Sequence, residues 1–95
     1  MNYDAFKASL AQPKPPAELA PALAALWWAG KNNWDAAHRI VQDEADKDCA
    51  WVHAHLHRVE GDLDNARYWY RRAARSEASG SLDEEWTAIV RELLK

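Results

Sequence analysis

Apolar residues recur along this chain at helical spacing, in blocks punctuated by proline, glycine and asparagine. Tyr3, Phe6 and Leu10 fall at i, i+3 and i+7, the signature of a short amphipathic helix that folds back onto the body. Gln12 to Pro16, QPKPP, ends it, because each proline removes a donor and holds its predecessor in extended geometry. Residues 1–16 thus read as a helix and a linker. From Ala17 to Ala29 the run AELAPALAALWWA is a strong helix former, and Pro21 places its start near Glu18. Gly30, Asn32 and Asn33 interrupt the period, and Trp34 to Glu44 resumes it, so a first hairpin spans 18–44.

A second hairpin follows over 48–76. Asp46 and Asp48 are caps for a helix from Cys49 to Glu60, Gly61 supplies positive φ for the turn, and Asp62 or Asp64 caps a helix reaching Ser76. Ser79, Gly80 and Ser81 form a loop. Ser81 and Glu84 then have capping-box spacing ahead of Trp86, Ile89, Val90, Leu93 and Leu94, a capping helix over 82–94 with one apolar face. That face is expected to dock on the second hairpin near Tyr70 and Ala73. Ala37 and Ala66 hold equivalent places after the two turns, 29 residues apart, short of the ~34-residue tetratricopeptide period. The expected fold is all-α, one domain of two antiparallel hairpins and a capping helix.

Composition narrows the function classes. With 95 residues the chain holds one domain, and 48% apolar residues including six Trp supply a core. A net charge of −3 gives no general attraction for nucleic acid or an anionic membrane, and no apolar run approaches the ~20 residues that span a bilayer. Cys49 is the lone cysteine, and MNYDAFKASLAQ has neither a basic nor an apolar leader region; together these point to a cytoplasmic protein.

The segment Trp51 to Ala73, WVHAHLHRVEGDLDNARYWYRRA, resembles a tetratricopeptide repeat, most closely in Gly61 to Ala66 followed by Tyr70 and Ala73. Its first helix departs from that pattern at His53, Ala54 and His57, and WWAGKNNWDAAHRIVQ matches only loosely. The chain is also similar to short bacterial proteins carrying WDAAH-, HLHRVEGD- and NARYWYRRA-like strings. These resemblances imply an α-solenoid fragment that binds a peptide or partner surface, and imply no activity.

Three constellations carry chemistry. His53, His57 and Glu60, at i, i+4 and i+7, share a helix face suited to a divalent transition metal, with His38 on the neighbouring helix as a fourth ligand. The favoured alternative makes them packing groups, so no metal or other cofactor is expected; His55 points elsewhere and is expected to be exposed. A basic stripe, Arg67, Arg71 and Arg75, with Arg58 and Arg72 beside Tyr68 and Trp69, suits carboxylates of a peptide. Trp51, Arg58, Arg67, Tyr68, Trp69, Arg71 and Arg75 are therefore the expected partner contacts. Surplus aromatic surface around Trp27 or Trp28 suggests a weak homodimer. Phosphate loops, nucleophile elbows and CxxC pairs are missing, and Cys49 reads as a small buried hydrophobe, so the expectation is a binding module and not an enzyme.

Overall fold

The computed structural model describes residues 1–95 as six helices without a strand: α1 (Tyr3–Ser9), α2 (Pro21–Gly30), α3 (Trp34–Val41), α4 (Lys47–Val59), α5 (Leu63–Ala73) and α6 (Leu82–Leu93). Side chains of Asn2, Asn33, Asp46, Asp62 and Ser81 accept from the first-turn backbone of five of them. Ser81 and Glu84 complete the capping box. No polar side chain caps α2; it begins at Pro21 and not at Glu18, because proline tolerates only the first turn. α3 ends at Val41, short of Glu44, and Asp46 is the cap of α4 while Asp48 lies within its first turn.

The two interhelical turns are built alike. In the first, Asn32 has φ +60° and the Asn33 N–H donates to the Trp28 carbonyl at 2.9 Å. In the second, Gly61 has φ +85° and the Asp62 N–H donates to the His57 carbonyl, also at 2.9 Å. Each matching pair is 29 residues apart, the same offset as the buried Ala37 and Ala66, so the internal repeat is structural as well as sequential. Nothing lies within 4 Å of where a Gly61 Cβ would stand, so Gly61→Val should cost about 1–2 kcal/mol from the left-handed backbone alone. Ala74, at φ +57°, ends α5 in the same conformation without being glycine. Ala74→Gly should therefore stabilise by about 0.5–1 kcal/mol. Urea midpoints moving in opposite directions for the two variants are expected; shifts of the same sign would contradict this reading of the turns.

α2 packs against α3, α4 packs against α5, and α4 also meets α2 and α3. Joined by short turns, each pair is an antiparallel hairpin. α6 docks on the second hairpin mainly through α4, with Glu85 meeting Tyr70 of α5, and it also reaches across the molecule to α2. The reason is Trp86, which packs beside Phe6 with ring centroids 5.9 Å apart and donates its indole N–H to the Leu26 carbonyl at 2.8 Å. Ile89 and Val90 enter the same core with Leu26, Trp27, Val52 and Leu56. α1 folds back as expected: Phe6 is fully buried, and the Trp27 indole donates to Ser9 Oγ at 3.0 Å. Trp27 is itself 0% exposed, which removes it from any dimer surface and leaves Trp28 half-buried. No helix is long and apolar enough to cross a membrane.

Candidate functional site

Two opposite faces of α4 carry its histidines, because residues i and i+4 share a face and i+2 lies across the helix. His53 and His57 turn toward α3, where they meet His38. The His38 and His53 Nε2 atoms stand 3.1 Å apart, and one ring nitrogen from each of the three histidines lies within 4.8 Å of the others. His57 Nδ1 pairs with the Glu60 carboxylate at 2.6 Å, one turn on. The Trp34 ring stacks on His38 at 4.6 Å, and the Trp69 ring on His53 at 3.9 Å, so aromatic planes wall the cluster on two sides. All four residues grouped by spacing are thus brought together. Burial, reinforced by His57 and His38, pushes the His53 imidazole down to about 4 and keeps it neutral at pH 7. Burial followed by His57 lowers His38 too, against a weaker opposing pull from Glu60 and Asp35.

His55 is not exposed. It is 2% accessible, because α6 covers this side of α4, and its Nδ1 lies 2.7 Å from Glu85 Oε1. Arg58 reaches the same oxygen at 3.2 Å and donates to the Gly80 carbonyl, while the Tyr70 hydroxyl donates to the other carboxylate oxygen. Burial alone would raise the Glu85 carboxyl, but the hydrogen bonds from His55 and Tyr70 outweigh it and hold the group below the ordinary range. Burial and that same carboxylate push the Tyr70 hydroxyl up. Glu85 stands out in retrospect as the one acid within the apolar stripe of Leu82, Trp86, Ile89 and Val90. Cys49 is packed in the core, and burial lifts its thiol to about 12, which suits a small hydrophobe.

The aromatic and arginine residues gather where α4 begins and α5 finishes. Arg75 lies 3.8 Å over the Trp51 ring, and Arg72 lies over Tyr68 and Trp69 at 5.7 and 5.4 Å. Arg72 also donates to the Tyr68 hydroxyl, and Tyr68 is 42% exposed. Arg71, Arg72 and Arg75 are exposed and form no ion pair. Arg67 pairs with Asp64 and Glu77, both solvent-facing, whereas Arg58 is spent inside on Glu85. Trp69 is half-buried, with its ring against His53. No protein-family model, curated protein or solved structure matches this chain.

Proposed function

We propose that this chain is a non-catalytic binding module of tetratricopeptide-like hairpins that takes an acidic segment of a partner protein, working in the cytoplasm. Support for the repeat comes from the 29-residue equivalence of the two turns and from the resemblance of Trp51 to Ala73. Support for the ligand class comes from one observation above all: Arg72 and Arg75 are stacked on aromatic rings while neither has a carboxylate partner. The ring beneath Arg75 holds its guanidinium by the plane and leaves its donors for a carboxylate, while Arg72, which gives one N–H to the Tyr68 hydroxyl, keeps its remaining donors for the same use. Arg71 adds a third cation, and Trp51, Tyr68 and Trp69 supply apolar area beside the charges. Arg67 borders this surface already paired, and Arg58 braces the hairpin from within.

Fluorescence polarisation with a labelled Asp/Glu-rich peptide against its Asn/Gln counterpart tests the proposal. The acidic peptide should bind at least tenfold more tightly, the difference shrinking as salt screens it. Arg72→Glu with Arg75→Glu should abolish that preference without lowering the melting temperature. Equal binding of both peptides, or an undisturbed preference in the double variant, would refute it.

A further inference from the structure

A packing histidine is expected to spend its ring nitrogens on hydrogen-bond partners. The cluster on α3 and α4 does not do so. His53 Nδ1 is buried without any partner, and the one contact His53 makes through Nε2 is with another imidazole nitrogen, that of His38. Two neutral imidazoles meeting nitrogen to nitrogen can share only one proton. Their 3.1 Å separation has a second meaning: nitrogens bound at about 2.0–2.1 Å to one tetrahedral ion stand about 3.3 Å apart.

We propose that His38, His53 and His57 bind a divalent transition metal of the zinc class. Three imidazoles from two packed helices are the donor set such an ion takes, and one nitrogen of each already lies within 4.8 Å of the others. His57 lies stacked on His53 with ring centroids 4.8 Å apart, so binding requires its ring to turn until its Nε2 lone pair meets those of His38 and His53 at one point. Glu60 supplies what a metal-bound histidine requires of its surroundings: by accepting from His57 Nδ1 at 2.6 Å it fixes the tautomer and leaves the Nε2 lone pair for the ion. Trp34 and Trp69, stacked on His38 and His53, set two of the ring planes and keep water from their faces. Three protein nitrogens leave a fourth position, which water fills. The inference does not depend on the acidic-segment reading, since none of the unpaired arginines belongs to this donor set.

The test uses the full-length chain, stripped by chelator and dialysed, and titrated with Zn²⁺ in competition with a chromophoric chelator and separately with Co²⁺. One equivalent should bind, and bound Co²⁺ should show the intense visible bands of four-coordination with nitrogen donors, unlike the faint spectrum of the hydrated ion. His38→Ala and His57→Ala should each weaken binding by at least about 100-fold, and Glu60→Gln, which spares the ligands, by about 10-fold. Circular dichroism confirms that each variant folds; should one fail to fold, the Co²⁺ spectrum of the native chain decides. Absence of a stoichiometric site, a six-coordinate Co²⁺ spectrum, or full affinity in a folded His57→Ala variant would overturn the assignment.

Discussion

Glu85→Ala should destabilise the protein by about 3–5 kcal/mol, the cost of removing one partner from a buried charged network. The substitution leaves Arg58, His55 and the Tyr70 hydroxyl facing an empty site, and all three were oriented by that carboxylate. For a domain of this size the melting temperature should fall by roughly 12 °C or more. The same network makes a pH prediction. Because the folded carboxyl is held below its ordinary value of 4.5, its contribution is fully present above that pH and is lost as pH falls through the depressed value. The stability gap between the native protein and Glu85→Gln should therefore narrow on acidification below about pH 4.5. Urea denaturation at pH 7 and pH 3 measures it; a gap independent of pH would show that the carboxylate's charge contributes nothing.

Trp86→Ala carries an effect of similar size. Deleting a large buried aromatic costs about 3–5 kcal/mol, from lost transfer energy and from the cavity left behind. Trp86 is 8% exposed and joins three helices, touching Tyr3 and Phe6 of α1 and donating to Leu26 in α2. Its ring edge also fills the space where a side chain on Gly30 would stand, since a Cβ there would come within 2.9 Å of the indole. The loss should appear in chemical denaturation together with faster amide exchange in α1, whose Phe6 would lose its principal aromatic neighbour. Unchanged exchange in α1 would mean that the N-terminal helix is held by other contacts, such as Ser9 on Trp27 and Lys31 on the carbonyls of Leu10 and Gln12.

What the chain reveals of this fold depends on the range of the interaction. Gly61-Asp62 and the Ser81–Glu84 box are read correctly because a cap is local chemistry, complete within four residues. α2 is misplaced by three residues because no polar side chain caps its start, and only the tolerance of Pro21 for the first turn marks it. His53, His57 and Glu60 can be grouped by spacing, and His38 added as the neighbour in the preceding hairpin. Spacing alone is silent on the roll of α3 against α4, which decides whether the nitrogens meet. His55 and Glu85 lie 30 residues apart, and Trp86 and Leu26 lie 60 apart. Those contacts follow from α6 lying against α4 and reaching on to α2; the docking on the second hairpin is expected from chain order, but the reach to α2 in the first hairpin is not. Arg58 shows the same limit: it reads with the arginines beside Tyr68 and Trp69, and α6 converts it into a half-buried brace on Glu85.

In the proposed function the end of the second hairpin, around Trp51, Tyr68, Trp69 and Arg72, receives an acidic segment of another protein. The most direct test is an NMR titration of the uniformly ¹⁵N-labelled chain with the Asp/Glu-rich peptide, following the indole N–H signals of the six tryptophans and the guanidinium signals of the arginines. The account predicts saturable shifts at Trp51, Trp69, Arg72 and Arg75, with Trp27 and Trp86 unmoved because their indoles donate to Ser9 and Leu26 inside the core. Shifts spread evenly over all six indoles, or none at millimolar peptide, would contradict it.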